Sequence, residues 1–300
     1  MNKKYVFVGD LNSINLEIIV KSHRKISKKI KYILIGDRNE IKNYLKKVNS
    51  ILKINEILDP FKFYDYKIGS LNIFNIKSLH SEKYKNIINQ LKISNHLSMN
   101  TGIDLITMPI NKDILKKNIE FNGVTEFLGK LNNCNTFMLM HGEKFSIIPL
   151  TTHINPKNIH LEINIDNIKK SLNKITKIIK HKIYRLNIKQ IKFLCYNPHC
   201  GENNLLGKED LVIKKTISNY KNISGPLPSD SAFLSIEKNT LYISTYHDQA
   251  LIPYKILNKN GFNLTLGLKY RRLSPSHGTA KDLKFKDRAD NSSYIACMNY

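Results

Sequence analysis

Short apolar runs alternate along the chain with longer segments of helical periodicity. YVFVG (5–9), KYILIG (31–36) and GIDLITMP (102–109) are typical of buried strands. INLEIIVKSHRKI (14–26) repeats isoleucine at helical spacing, which predicts a helix with Ser13 as a candidate N-cap. Further strands are predicted at 144–152, 188–196, 239–246 and 262–268, and further helices at 39–52, 110–117 and 165–183. This alternation predicts an α/β fold with a largely parallel sheet.

One region does not follow the alternation. Residues 60–100 show no clear period, and YDYKIGSLNIFNIKSLH (64–80) is compatible with a β-hairpin. No internal repeat and no Pro/Gly/Ser-rich linker divides the chain, so two domains would have to be interleaved or closely abutted.

A high net positive charge is typical of proteins that bind nucleic acid, but the rest of the composition argues against such a partner. The net charge is +24 over 300 residues, with a pI of about 9.7. The excess is nearly all lysine and accompanies abundant Asn and Ile, which share A/T-rich codons, so codon bias explains it. Arginine and aromatic residues do not alternate as in a stacking groove. We therefore predict no nucleic-acid partner.

Apolar length and cysteine spacing indicate an intracellular chain. No apolar run reaches the length of a membrane span, and the first one stops at Gly9-Asp10, too early for a signal-peptide core. The cysteines form no CxxC pair and predict neither a zinc ribbon nor a disulfide framework; they are Cys134, Cys195, Cys200 and Cys297. We expect reduced thiols and a cytoplasmic location, with no membrane association.

Three histidines follow three predicted strands. His153 comes directly after FSIIPLTT, His199 lies in NPHCGE, and His247 follows LYISTY. A single such histidine is usually a turn or capping residue. Ligands of open α/β sheets bind at the carboxyl ends of strands, however, so these three share one location if their strands are neighbours. Three imidazoles with an open position suit a catalytic Zn, Co, Ni or Fe.

Six ordered motifs resemble one enzyme family. They are TTH (151–153), NPHCGE (197–202), GPLPSDSAF (225–233), YHDQALIPYK (246–255), NLTLGL (263–268) and SHGTA (276–280). With GDLNSINLEI, TMPINK and FNGVTEF they resemble 4-hydroxythreonine-4-phosphate dehydrogenase of vitamin B6 biosynthesis, over nearly the whole chain.

The resemblance implies an architecture. It implies a two-domain α/β/α fold similar to isocitrate and isopropylmalate dehydrogenases, working as a homodimer with a shared active site. We place the first domain at 1–115 together with 248–300, and the second at 116–247, with the active site in the cleft between them.

The resemblance also implies the chemistry. Family members oxidise 4-phosphooxy-L-threonine with NAD, or NADP, and the product loses carbon dioxide to give 3-amino-2-oxopropyl phosphate. A divalent ion (Zn, Mg or Co) would chelate the alcohol, lower its pKa and stabilise charge on the developing ketone. The substrate is a small phosphorylated amino acid.

Each site residue is carried over from a matching motif position. His153, His199 and His247 are the implied metal ligands and, with Lys255, the catalytic residues. The implied substrate contacts are Thr125, Lys255, Asn263 and Arg272, together with Asp230 from the partner subunit. Lysine and arginine suit the phosphate and carboxylate of the substrate. The general base and the cofactor-binding residues stay unassigned.

Departures from the family's pattern and three alternatives accompany the resemblance. Val124 replaces a histidine that contacts substrate in the family, and Asn15 replaces a glycine. The alternatives are a sister dehydrogenase acting on a threonate or erythronate phosphate, a three-His metal hydrolase, and a nucleic-acid-binding protein. No GxGxxG occurs in the chain, so NAD rests on the resemblance.

Overall fold

The computed structural model describes residues 2–117 and 120–300, which form two compact units. In chain order the strands are β1 (Asn2–Phe7), β2 (Ile30–Gly36), β3 (Ile54–Glu56), β4 (Leu71–Asn75), β5 (Asp104–Thr107), β6 (Phe137–His141), β7 (Ser146–Pro149), β8 (Gln190–Leu194), β9 (Ile223–Leu227), β10 (Thr240–Ser244), β11 (Phe262–Leu266) and β12 (Arg272–Pro275). The helices are α1 (Asn15–Ile26), α2 (Arg38–Lys47), α3 (Lys83–Thr101), α4 (Lys112–Lys116), α5 (Val124–Leu131), α6 (Ile159–Glu162), α7 (Ile165–Ile178), α8 (Glu209–Ile217), α9 (His247–Leu257) and α10 (Ser292–Asn299).

The first unit comprises Met1–Cys134 and Leu268–Tyr300. Its strands follow the order β3-β4-β2-β1-β5-β12, and every neighbouring pair is parallel. Alternate side chains of β1 and β2, such as Tyr5, Phe7 and Ile33, enter one hydrophobic core under α3. Strands that are buried on both faces have continuous runs of apolar residues, which is why the sequence pattern predicted these strands.

The second unit is the contiguous segment Asn135–Gly267. Its strands follow the order β11-β6-β7-β10-β8-β9, antiparallel at β11-β6-β7 and parallel from β7 to β9. The parallel part places the carboxyl ends of β7, β10 and β8 side by side. The predicted α/β class with largely parallel pairing is confirmed.

The region from 60 to 100 corrects the sequence prediction. β4 pairs parallel with β2 and β3, so 64–80 is not a hairpin. The long helix α3 follows it, and no helix was predicted there. Its polar positions include buried Gln90, Ser94 and Asn95, so the amphipathic pattern is weak.

The chain passes from the first unit to the second after residue 134 and returns to the first after residue 267. The predicted boundaries, 115 and 247, lie earlier in the chain. Helix α5 contributes Leu128 to the first core, and α9 contributes Tyr254 to a core of the second unit. These contacts place α5 in the first unit and α9 in the second. Among the described residues, no helix is long and apolar enough to cross a membrane.

Candidate functional site

The three histidines of the sequence prediction follow three adjacent parallel strands of the second unit. Beyond the last paired residues of β7 and β10, the chain continues with Leu150 N donating to the Ser244 carbonyl at 2.9 Å and Thr151 N to the Thr245 carbonyl at 3.1 Å. Two more residues lead to His153, while His247 begins α9 directly after Tyr246. The strand order β7-β10-β8 thus gives these histidines neighbouring starting points.

His153 and His247 lie next to each other. Their ring centroids are 5.9 Å apart with an interplanar angle of 40°. His247 is about one-third exposed, and its Nδ1 lies 2.6 Å from the Asp248 carboxylate. A carboxylate on one ring nitrogen orients an imidazole and leaves the other nitrogen for a ligand.

His199 lies in a left-handed turn. Residues 199–204 all have positive φ, with His199 at 49° and Cys200 at 57°. L-residues adopt this conformation singly, and a run of them costs free energy at each non-glycine position. Strain of this kind is concentrated at functional sites, so the turn is itself a functional signal.

Two acidic side chains in the first turn of α8 accept hydrogen bonds from the residues that lead into this turn. Asp210 is buried, and its carboxylate accepts from Tyr196 N at 2.7 Å and Asn197 N at 3.0 Å. Glu209 accepts from the Asn197 side chain at 2.9 Å. Neither residue was predicted from the sequence. An acidic pair opening a helix after a loop reads as an ordinary first turn, so no local signal separates the two roles.

A disulfide joins Cys195 to Cys200. The sequence prediction of unpaired thiols is wrong for this pair, since the left-handed turn brings the two Cα atoms to 5.1 Å, within disulfide range. Cys134 and Cys297 are free. The crosslink connects the end of β8 to the residue after His199.

Gln249 connects three segments around the histidines. Its oxygen accepts from Thr245 N at 2.8 Å, and its nitrogen donates to the Cys195 carbonyl at 2.5 Å and to Ser229 Oγ at 2.6 Å. It therefore links the ends of β10 and β8 to the loop after β9. Gln249 lies in the motif YHDQALIPYK, and no role was predicted for it from the sequence.

Asp230 lies beside His199 of its own chain. Its Oδ2 is 3.7 Å from His199 Nε2, and the side chain is 65% exposed. On its other side, His199 Nδ1 lies 2.9 Å from Glu202. The hydrogen bond to Glu202, and then Asp230 and the Glu202 charge, raise the pKa of His199.

Lys255 and Asn263 have different environments. Lys255 lies on α9, two turns after His247, with its side chain exposed. Asn263 lies on β11, where its Oδ1 is buried and has no hydrogen-bond partner among the described residues. Buried polar atoms are nearly always paired, so this oxygen is suited to a ligand donor.

Thr125 and Arg272 meet in the first unit. Both are buried, and Arg272 Nη1 donates to Thr125 Oγ1 at 3.2 Å, while Nε donates to Thr107 Oγ1 at 2.8 Å. Burial lowers the pKa of Arg272 to about 10, which still leaves it cationic at neutral pH. The structure brings these two predicted substrate contacts together.

Asn15, which stands where the family has a glycine, is buried and hydrogen-bonds to two loops. Its amide nitrogen donates to the Val8 carbonyl at 2.9 Å and to the Pro109 carbonyl at 2.8 Å. It thereby ties the loop after β1 to the loop after β5. Gly9 in the same loop has φ +75°, and a Cβ there would lie 2.5 Å from the Pro109 oxygen.

The histidine donor set fits a divalent ion in chemistry. With metal–nitrogen distances of about 2.0–2.1 Å, two imidazoles on one tetrahedral ion have ring centroids roughly 5 Å apart, close to the 5.9 Å between His153 and His247. Within residues 2–117 and 120–300, however, no group of three His, Cys, Asp or Glu side chains is already arranged to hold an ion. His199 would have to turn toward the other two.

Comparison with known proteins gives one consistent result. The family model for the pyridoxal phosphate biosynthetic protein PdxA matches residues 28–300. A 4-hydroxythreonine-4-phosphate dehydrogenase of Hydrogenobaculum sp. is 32% identical over 96% of this chain and 95% of that protein. A protein of Oceanobacillus iheyensis, provisionally named D-threonate 4-phosphate dehydrogenase, is 28% identical over 100% of this chain and 97% of its own length.

Among solved structures, the fold is similar to 4-hydroxythreonine-4-phosphate dehydrogenase from Klebsiella pneumoniae. The TM-score is 0.83 at 23% identity, covering 100% of this chain and 98% of that one.

Proposed function

Because this chain belongs to the PdxA family of pyridoxal phosphate biosynthetic proteins, a family of oxidoreductases, we propose that it oxidises 4-phosphooxy-L-threonine with NAD. The oxidised acid then loses carbon dioxide to give 3-amino-2-oxopropyl phosphate. The observation that carries the proposal is the position of His153, His199 and His247 after adjacent parallel strands, in a chain matched by the family over residues 28–300.

We propose that these three histidines hold one divalent ion. The ion would supply Lewis acidity to the substrate alcohol and to the ketone that replaces it. Asp248 orients His247 through Nδ1, while Asp210 and the disulfide position the turn that carries His199. Each histidine would bind the ion through one ring nitrogen.

Cationic and amide groups suit the rest of the substrate. Arg272 presents a forked guanidinium backed by the hydroxyls of Thr107 and Thr125, which matches a phosphate or carboxylate. Lys255 adds a compact positive charge. The Oδ1 of Asn263, which has no partner among the described residues, can accept a hydrogen bond from a substrate hydroxyl or ammonium group.

A sister activity on D-threonate 4-phosphate is the second candidate, since the Oceanobacillus iheyensis relative covers the whole chain. The two substrates differ at the second carbon, where threonine carries an ammonium group and threonate a hydroxyl. We expect the carboxylate of Asp230 to reach the site from the partner subunit, where it favours the ammonium group by charge. We therefore place the amino substrate first.

The decisive experiment follows reduced-nicotinamide absorbance with the purified protein, a divalent metal and each substrate in turn, beside a chelated control. We expect a faster signal with 4-phosphooxy-L-threonine than with D-threonate or erythronate 4-phosphate. A preference for either acid would favour the sister activity. Product release with no nicotinamide reduction would indicate a hydrolase instead.

Metal binding is tested separately by elemental analysis and titration. The parent should take up about one divalent ion per chain, and His247→Ala should bind it at least roughly tenfold more weakly. His96→Ala is the matched control, because this exposed histidine lies on α3 of the first unit. Equal metal affinity in the parent and His247→Ala would remove the ligand assignment.

A further inference from the structure

The first unit has a pocket at the amino ends of its strands. Its volume is about 560 Å³, and its lining comes from the end of α1 and from the residues just before β3 and β4. The residues proposed above to bind substrate lie elsewhere, and none of them lines this pocket. Its size is typical of a small-molecule site.

The charged side chains of the pocket all have the same sign. Arg24, Lys28 and Lys53 line it, and no Asp or Glu does. Among the described residues these three cations form no ion pair within the chain. A pocket lined by cations alone attracts an anion.

His23 supplies a buried donor at the same place. Its side chain is 1% exposed, and its Nδ1 lies 2.6 Å from the Tyr32 hydroxyl. Nδ1 is the hydrogen-bond partner described for this buried hydroxyl, so the hydroxyl donates to Nδ1 and the proton of the neutral ring is on Nε2. Burial lowers the pKa of His23, and the smaller opposing effect of the Gly69 backbone does not cancel this shift. The ring is therefore neutral at pH 7.

His23 Nε2 is buried and has no hydrogen-bond partner of normal distance and angle among the described residues, while the Gly69 backbone lies beside the ring. Ser27, 4% exposed, also lines the pocket, and no hydrogen bond of its hydroxyl is among those of the described residues. Buried polar atoms without partners, such as His23 Nε2, are uncommon in proteins, and both side chains adjoin the three cations. Together they form a built binding site rather than a group of surface lysines.

The rim of the pocket is apolar. Ile51 is 79% exposed and Ile68 is 69% exposed, and both line the pocket beside Leu52. Exposed aliphatic side chains around a charged pocket suit a ligand with an anionic end and an apolar body. Inorganic phosphate would leave this rim uncovered.

We propose that this pocket binds a phosphate monoester with an apolar body, separately from the substrate. A phosphate has enough oxygens to accept from His23 Nε2 and Ser27 Oγ while pairing with Lys28, Lys53 and Arg24. A carboxylate offers only two oxygens for the same five donor groups. The proposal concerns a second site and does not depend on the reaction assigned above.

Calorimetric titration at low salt tests the site, with phenyl phosphate as the probe and inorganic phosphate and benzoate as comparisons. We expect phenyl phosphate to bind more tightly than either comparison. The double variant Lys28→Gln/Lys53→Gln should weaken this binding at least about tenfold, because two charge-assisted contacts are lost. Lys25→Gln, an exposed lysine of α1 outside the pocket, should bind like the parent.

The same titration on Arg272→Lys separates this pocket from the proposed substrate site, since binding here should be unchanged. Labelled-histidine NMR adds a direct readout, in which the Nε2 resonance of His23 should shift with phenyl phosphate and remain in place in the double variant. No binding, equal losses in Lys25→Gln and the double variant, or dependence on Arg272 alone would overturn the proposal. Equal affinity for inorganic and phenyl phosphate would remove the apolar part of the ligand.

Discussion

Arg271 and Arg272 are adjacent in sequence and direct their guanidinium groups to different partners. Arg271 donates Nε and Nη2 to the two Asp104 oxygens at 2.9 and 2.6 Å, and Lys4 donates to the same carboxylate at 2.8 Å. Arg272 donates to threonine hydroxyls. A fork filled by a carboxylate is structural, so Arg271 stabilises the fold, whereas the resemblance assigns Arg272 to substrate binding.

We predict opposite effects from the same substitution at these two positions. Arg272→Lys should raise KM for the phosphorylated substrate about tenfold, ~1.4 kcal/mol, because lysine lacks the fork. Arg271→Lys should leave KM nearly unchanged and lower the free energy of unfolding by about 1–3 kcal/mol. Steady-state kinetics and urea unfolding of both variants provide the measurements. Equal KM values for Arg272→Lys and the parent would move the anion site elsewhere.

The sequence identified residues whose role depends on their position along a strand. His153, His199 and His247 could be selected because each follows an apolar run, and parallel strands end at one edge. Asp210 and Gln249 could not be selected, because most of their partners are 13 to 54 residues away and are mostly backbone groups. Such contacts leave no periodicity in the sequence. The Cys195–Cys200 bond was missed for a similar reason, since it depends on the left-handed turn.

At the scale of elements, Asp37 shows how one side chain starts a helix. It is the N-cap of α2 and accepts from Asn39 N at 2.8 Å and Glu40 N at 3.2 Å, while its other oxygen accepts from Ser78 N at 2.7 Å. Burial acts to raise the pKa of Asp37, but these N–H donors, led by Ser78, outweigh it and lower the pKa. The ionised form therefore stabilises both α2 and the loop after β4.

We predict that Asp37→Ala lowers the free energy of unfolding by about 1–2 kcal/mol at neutral pH. A carboxyl with a depressed native pKa stabilises the fold above its unfolded value, and this contribution is lost as pH falls through the native pKa. The difference between the parent and the variant should therefore be full above about pH 5 and shrink below about pH 4. Urea unfolding across this range measures it. Asp37→Asn keeps an acceptor and is the control; a pH-independent difference would contradict the assignment.

The elements that the sequence predicted best are the buried parallel strands. The predicted 31–36 and 262–268 closely match Ile30–Gly36 and Phe262–Leu266, because continuous apolar runs bounded by polar residues have one compact solution. Helix α3 was missed because its buried face carries Gln90, Ser94 and Asn95. Asn95 accepts from the Tyr270 hydroxyl at 2.7 Å, and this distant contact is not visible in local composition.

At the scale of the whole molecule, Asp230 bears on assembly. Its carboxylate is 65% exposed in the single chain, so it has surface available to a second copy despite its contact with His199. The resemblance implies that this aspartate acts in the partner's site. We propose a homodimer on that basis, since a closed two-fold dimer uses the same patch on both chains.

Co-expression of Asp230→Ala with His247→Ala tests the shared site. Each variant alone should be inactive. If Asp230 acts across the dimer, half of the mixed dimers' sites carry neither change, and random pairing should recover roughly a quarter of parental activity. Tagged heterodimers measured for nicotinamide reduction give the result. A verified heterodimer without activity would place Asp230 in its own chain's site.

The arrangement of the two units predicts how fragments behave. The segment 135–267 is contiguous and should fold when expressed alone. The segment 1–134 lacks β12 and α10, whose Tyr294, Cys297 and Met298 are buried, so we expect it to be incompletely folded. Adding a 268–300 peptide should increase its amide protection in hydrogen exchange. Full protection of 1–134 without the peptide would contradict this division.

The interrupted first unit also sets the order in which the molecule is completed during synthesis. When the ribosome has made residues 1–134, β5 is still an open edge, because β12 has not yet been translated. The second unit is translated next as one continuous segment and can fold. At that stage Asp104 can pair with Lys4 but not with Arg271, which has not yet been translated. The unit encoded between the two segments of the first unit is therefore finished first. Chaperones should bind the nascent chain through its early strands, and release it only after β12 and α10 have been translated.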